Sequence, residues 1–159
     1  MCYNIYMVIQ YFGAGEVKIS QGDWNLTFSD GKLRIGGRDG FEVGGPGEYE
    51  INGTFIKGVA LAGPESKINV AYSVLFDDIR LVHLGQPVGS IPAEAKEILA
   101  DADILFTPAP EFATVLNPKV IIPLYEVKGK SVPTPVDKLV IKRKDIEGKE
   151  SEIIPVCSF

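Results

Sequence analysis

The chain has few of the residues that bind metal ions. Its 159 residues include one histidine, His83, and two cysteines, Cys2 and Cys157. A catalytic zinc site takes about three protein ligands, commonly histidines, cysteines or carboxylates, and leaves one position open for water or substrate. One histidine cannot build a histidine-rich metal centre, so any metal site would need other side chains as well.

The cysteine count excludes a disulfide framework, because small disulfide-rich domains use several bridges. A single bridge between Cys2 and Cys157 is the alternative to two free thiols. The apolar N-terminal stretch lacks the basic start and small-residue cleavage site of a signal peptide. No apolar run approaches the roughly 20 residues that a spanning helix needs. We therefore expect a cytoplasmic protein that does not enter a membrane.

Basic charge is in short supply as well. The chain carries 16 basic and 21 acidic side chains, for a formal net charge of -5. Nucleic acids and anionic membrane surfaces attract basic proteins, so neither is an expected partner. The hydrophobic fraction of 45% and the length are ordinary for one soluble globular domain, which we predict over residues 1–159.

Most of the sequence alternates apolar and polar residues in short runs, which is the pattern of β-strands. Asn52-Gly53 and Asp77-Asp78 separate such runs and predict tight hairpin turns. The run Ile79–Leu84 is apolar almost throughout, which predicts a strand buried on both faces. These strands dominate the chain and favour a sandwich.

One helix is predicted from an apolar stripe at helical spacing, with Ser90 as its cap and its end near Ala102. The stripe consists of Ile91, Ala95, Ile98 and Leu99. A short second helix is predicted over Pro110–Leu116, and a last hairpin is predicted from residues 139–146 and 152–156. The fold class is therefore α+β, a β-rich sandwich with one or two helices.

Three segments, taken in order, carry a resemblance to a known family. They are Gly45-Pro46-Gly47-Glu48-Tyr49-Glu50, His83-Leu84-Gly85-Gln86, and the run from Val136 to Lys142. Together they resemble the metallo-β-lactamase superfamily, in particular its small lactonase-like branch of metal-dependent hydrolases. The resemblance covers roughly Gly45 to the C-terminus. It implies an αββα fold that is truncated here, with its first half shortened.

The resemblance also implies where a metal site would lie. The family uses a His-x-His-x-Asp-His loop, a further histidine, a bridging aspartate and a last histidine. That first loop is absent here, Gln86 stands at the position of the bridging aspartate, and Tyr125 replaces the last histidine. A neutral amide and a protonated phenol are poor metal ligands, and His83 matches no ligand position. We therefore expect no metal cofactor.

A few side chains remain weak catalytic candidates. Glu48 and Glu50 alternate with Tyr49 and so share one strand face, where they are either an acid–base or cation-binding pair or simply solvated. His83 is either a hydrogen-bonded core residue or a proton carrier. Tyr125 joins them only through the family position that it occupies.

Three functions fit this sequence. The preferred interpretation is a non-catalytic remnant of the fold that self-associates or docks on a protein partner, because a sheet that has lost its helices exposes apolar surface. The second is a metal-dependent hydrolase with a rebuilt, non-standard site that uses Glu48, Glu50, His83 and Tyr125. The third is a module that binds a small ligand in the old cleft without chemistry.

Overall fold

The computed structural model describes residues 6–36, 40–125 and 137–156. Sheet A is wholly antiparallel, in the order β12-β1-β2-β3-β4-β5. Its strands, numbered along the chain, are β1 (Tyr6–Gly13), β2 (Glu16–Gln21), β3 (Trp24–Ser29), β4 (Lys32–Ile35), β5 (Phe41–Val43) and β12 (Leu139–Lys142).

Sheet B is mixed, in the order β13-β11-β10-β9-β8-β7-β6. Its strands are β6 (Gly47–Ile51), β7 (Thr54–Ala62), β8 (Ile68–Phe76), β9 (Ile79–His83), β10 (Ile104–Thr107), β11 (Val120–Pro123) and β13 (Glu152–Ile153). Strands β9, β10, β11 and β13 run parallel, whereas neighbours in the series β6, β7, β8 and β9 run antiparallel. The two predicted hairpin turns are confirmed, since Asn52 and Asp77 both adopt positive φ angles at the strand junctions.

The main core lies between the two sheets, because every second side chain of each strand points inward. Sheet A contributes Met7, Ile9, Val17, Ile19, Leu26, Phe28, Leu33 and Ile35. Sheet B contributes Ile56, Tyr72, Val74, Leu81, Ile104, Phe106, Val120 and Ile122. The strand β9 is buried on both faces as predicted, with Leu81 in this core and Val82 under the helices.

Two helices cover the outer face of sheet B, α1 (Ala93–Leu99) and α2 (Pro110–Leu116). They connect the parallel strands β9, β10 and β11, which need crossover connections of this kind. The helix α1 is shorter than predicted, and its N-cap is Pro92, which makes no side-chain capping bond. The prediction of Ser90 as the cap was wrong, since the chain around Pro92 is still extended.

The outer face of sheet A is mostly polar, with Ser20, Asn25 and Thr27 on its central strands beside Lys18 and Arg34. A small apolar strip, consisting of Tyr6, Val8 and Val140, lies where β1 pairs with β12. Within the described ranges, the packed layers are thus helices, sheet B and sheet A. This is the truncated sandwich that the resemblance implied.

The predicted last hairpin was wrong. The strand β12 pairs with β1 in sheet A, whereas β13 pairs with β11 in sheet B. Between them the chain forms a four-residue helix, α3 (Arg143–Ile146), because the Asp145 carboxylate accepts a hydrogen bond from the Lys142 N–H and Ile146 turns into the core. The described residues thus form three α-helices, whereas one or two were predicted.

Cys2 and Cys157, and with them the question of a bridge, lie outside the described residues. Over the residues that are described, no helix has the length and apolar character needed to cross a membrane.

Candidate functional site

A cleft of about 300 Å³ lies between the sheets. Turns of sheet A form one wall, Ala14-Gly15 between β1 and β2 and Asp30-Gly31 between β3 and β4. The other wall comes from sheet B and includes Asn69, His83 and Gln86. The resemblance puts Gln86 at the position of the family's bridging aspartate, and Gln86 lines this cleft, so the cleft adjoins the place where the resemblance implies a metal site.

Two side chains of sheet B hold these turns in place. The hydroxyl of Tyr72 donates a hydrogen bond to the Gly31 carbonyl oxygen at 2.8 Å. Nε2 of His83 lies 2.9 Å from the Gly15 carbonyl oxygen, and Nδ1 accepts a hydrogen bond from the Gly85 N–H at 3.1 Å. Since Nδ1 is the acceptor, the proton must be on Nε2, and His83 is the neutral Nε2–H tautomer.

Burial keeps both tethering groups uncharged. Desolvation lowers the pKa of His83 to about 4, against the smaller opposite effect of its bond to Gly15. Desolvation, with a smaller contribution from Tyr49, raises the pKa of Tyr72 to about 12. The His83 ring also stacks on Phe28 with 4.5 Å between ring centroids. At neutral pH, His83 therefore has neither a free lone pair for a metal nor a free proton for a substrate.

The loop that follows His83 is held by Asn69. Its Nδ2 donates to the Leu84 carbonyl oxygen at 2.7 Å, and its Oδ1 accepts from the Gln86 N–H at 2.8 Å. Gly85 has a φ of +69° between them, and a Cβ there would collide with the Asn69 amide. The sequence reasoning missed Asn69, although a polar residue near the start of the apolar run Ile68–Phe76 was a usable signal.

The predicted catalytic candidates do not come together. Glu48 and Glu50 are both exposed on the same face of β6, where Glu48 lies 3.8 Å from the Lys57 ammonium. Tyr125 follows β11, and its pKa is raised by burial and then by the negative charge of Glu111. Of the four residues, only His83 lines the cleft.

These residues do not fit the metal that the fold family implies. Across the described ranges, no three His, Cys, Asp or Glu side chains are grouped so that they could hold a metal ion. Gln86 is exposed and carries an uncharged amide, and the Tyr125 phenol stays protonated. Both nitrogens of His83 are bonded to the backbone. We therefore derive no chemistry through a metal at this cleft.

Solved structures share this fold at low sequence identity. A Thermotoga maritima protein, proposed to be a Zn-dependent hydrolase of the metallo-β-lactamase superfamily, superimposes with a TM-score of 0.71 at 18% identity, over 95% of this chain and 100% of that chain. A protein of Parabacteroides distasonis, proposed to be a metal-dependent hydrolase, gives a TM-score of 0.62 at 14% identity, over 96% and 94%. At such identities the likeness shows the fold alone.

Family membership comes from the sequence itself. No curated protein matches the chain significantly. The profile of the beta-lactamase superfamily domain matches residues 38–125, which is more than half of the 159 residues. This match agrees with the two-sheet architecture and with the solved relatives. The chain belongs to the beta-lactamase superfamily and has its metallo-β-lactamase fold, with no group of metal ligands among the described residues.

Proposed function

We propose that this chain is a non-catalytic member of the superfamily that works by binding a small ligand in the cleft. One observation carries the proposal: the lone histidine is neutral and spends both ring nitrogens on backbone bonds to Gly15 and Gly85. A histidine that acts as a general base or as a metal ligand needs a free ring nitrogen, and His83 gains one only by breaking a hydrogen bond to the cleft wall.

Ligand binding is supported by the form of the cleft. Its volume of about 300 Å³ lies at the small end of the range typical of ligand sites. Its walls combine polar groups with apolar surface, and its shape is fixed by the bonds from Tyr72 and His83. A pocket that is already formed binds without the free energy needed to order loose segments.

Metal content tests the non-catalytic part of this proposal. The full chain is expressed with zinc, manganese and iron, purified without chelator, and measured by elemental analysis. Less than about a tenth of an equivalent of any metal is expected, since a tight structural or catalytic site retains its ion through purification. About one equivalent would overturn the proposal and favour the rebuilt hydrolase. In that case, hydrolysis lost in both Glu48→Gln and His83→Ala would locate the site.

We also propose self-association or protein docking through the apolar strip of sheet A. Tyr6 is 50% and Val140 is 51% exposed, in a face that is otherwise mostly polar. Sedimentation velocity of the full chain is expected to show a dimer that Val140→Ser weakens. Thr27→Ser, on the polar part of the same face, is the matched control. A monomer throughout the micromolar range would overturn self-association and leave only a different protein as partner.

A further inference from the structure

The mouth of the cleft carries two side chains of opposite charge. Asp30 and Lys32 flank Gly31 in the turn between β3 and β4, and both line the cleft. Taking the proposed ligand-binding function as a basis, we infer that the cleft accepts a small zwitterion with an apolar body, such as an amino acid with an apolar side chain. Its ammonium group faces Asp30 and its carboxylate faces Lys32.

Both charges are available to a ligand. Asp30 is exposed and forms no ion pair with any residue that the structure describes. Lys32 lies 3.8 Å from Glu42, with 57% of its side chain exposed, and an exposed pair of this kind contributes little. The turn places the two residues on either side of Gly31, with φ angles of +51° at Asp30 and +72° at Gly31.

The interior of the cleft offers no charge of its own. Phe28 and Val70 line it, and the His83 ring, stacked on Phe28, is neutral. An uncharged body is therefore favoured inside, because a charged group there would lose hydration without gaining an opposite charge, and Phe28 and Val70 provide apolar surface for it. At about 300 Å³ the space suits a ligand of amino-acid size.

The two charges predict that the cleft binds a zwitterion more tightly than a ligand with a single charge. A ligand with only an ammonium group leaves Lys32 without a partner, and a ligand with only a carboxylate leaves Asp30 without one. The zwitterion satisfies both. Each exposed charge contact is expected to change affinity by up to about fivefold, the range typical of ion pairs in contact with water.

The test is a titration of the full ¹⁵N-labelled chain with three probes, followed by NMR. L-Phenylalanine is the zwitterion, 2-phenylethylamine carries only the ammonium and 3-phenylpropionate only the carboxylate. We expect phenylalanine to shift the amide signals of Gly31, Lys32 and Gln86 and to bind up to about fivefold tighter than either analogue. Equal affinities, or shifts confined to other parts of the chain, would overturn the inference.

Two variants assign the charges separately. Asp30→Asn keeps a residue that tolerates positive φ, and it is expected to weaken phenylalanine and phenylethylamine but not phenylpropionate. Lys32→Gln is expected to weaken phenylalanine and phenylpropionate but not phenylethylamine. Asp23→Asn, in the turn between β2 and β3, is the matched control and is expected to change none of them.

Two further outcomes separate a preference for zwitterions from ligand binding in general. If neutral benzamide binds the cleft as tightly as phenylalanine and Asp30→Asn has no effect, the zwitterion is excluded and ligand binding stands. If no probe at about 10 mM shifts a cleft signal, the inference is overturned, because even millimolar binding would be visible there. The metal measurement then decides the non-catalytic assignment on its own.

Discussion

The Nε2–H of His83 donates a hydrogen bond to the carbonyl oxygen of Gly15 at 2.9 Å, across 68 positions of sequence. The last residue of β9 in sheet B thereby holds the first hairpin turn of sheet A. The same ring accepts the Gly85 N–H on its other side and so ties that turn to the loop that follows β9. The lone histidine of the chain is thus a structural crosslink between the two sheets.

This crosslink predicts how stability depends on pH. The pKa of His83 is about 4 in the folded chain, below its ordinary value of 6.5. Between these values the unfolded chain binds the extra proton, so the free energy of unfolding falls as pH falls from about 6.5 to about 4. The loss attributable to His83 is expected to reach about 3 kcal/mol. Urea unfolding measured across this pH range gives the slope.

Carboxylates also titrate in acid, so a variant must isolate the histidine. His83→Gln keeps a polar side chain but cannot change charge. Its unfolding free energy is expected to be lower at neutral pH and to vary less between pH 6.5 and pH 4. If the variant and the natural chain lose stability in parallel over this range, His83 does not cause the dependence.

The pair Asn69 and Gly85 predicts a measurable coupling. Asn69→Ala removes two hydrogen bonds to the loop and is expected to destabilise the chain by about 1–3 kcal/mol. Gly85→Ala suffers from its positive φ and also from a collision with the Asn69 amide. Because Asn69→Ala removes the colliding group, the double variant is expected to be more stable than the sum of the single effects by at least about 0.5 kcal/mol.

Gly89→Ala separates the collision from the backbone strain. Gly89 has a φ of +80°, close to that of Gly85, but a Cβ there meets no atom within 4 Å. It should destabilise the chain less than Gly85→Ala, and it should add to Asn69→Ala without coupling. Equal effects of the two glycine substitutions in denaturant unfolding would show that the contact with Asn69 is unimportant.

Local patterns predicted the strands and the helix layer because they follow from the sequence nearby. Asn52-Gly53 forms its turn because both residues tolerate positive φ angles. The run Ile79–Leu84 has apolar residues on both strand faces, so both faces are buried. The prediction of the last hairpin was wrong because contacts with residues distant in the sequence decide the structure there. The predicted strand runs to Ile146, but the residues after Lys142 are mostly charged, and the Asp145 carboxylate and the core contact of Ile146 turn the chain into α3.

The cleft was harder to predict because its parts are far apart in sequence. Asn69 reaches Gln86 only after β8 and β9 have paired, and Tyr72 reaches Gly31 only after the sheets have packed. Glu48 and Glu50 were correctly placed on one strand face by alternation. Alternation does not say that this face lies outside the cleft, because that depends on how the sheets stack.

Tyr72 provides a second test of the cleft wall. Its hydroxyl bonds to the Gly31 carbonyl oxygen at 2.8 Å, and the side chain is 1% exposed. Tyr72→Phe leaves that carbonyl without its protein donor and is expected to lower the unfolding free energy by about 1–2 kcal/mol. Amide exchange at Gly31 and Lys32 should accelerate more than in Tyr6→Phe, the matched change at an exposed tyrosine. Equal exchange in the two variants would mean that Tyr72 does not fix the turn.

Trp24, the single tryptophan of the chain, connects β3 of sheet A to the start of β7 in sheet B. Trp24 stacks on Phe76 with ring centroids 3.9 Å apart, and its indole N–H donates to the hydroxyl of Thr54 at 3.1 Å. Thr54 is fully buried, so Thr54→Val keeps the volume but leaves the indole N–H without its acceptor. Urea unfolding followed by Trp24 fluorescence is expected to show a loss of about 1 kcal/mol. Thr27→Val, on the outer face of sheet A, should stay within about 0.5 kcal/mol of the natural chain. If Thr54→Val proves as stable as Thr27→Val, the hydrogen bond contributes nothing, and stacking on Phe76 alone fixes the tryptophan.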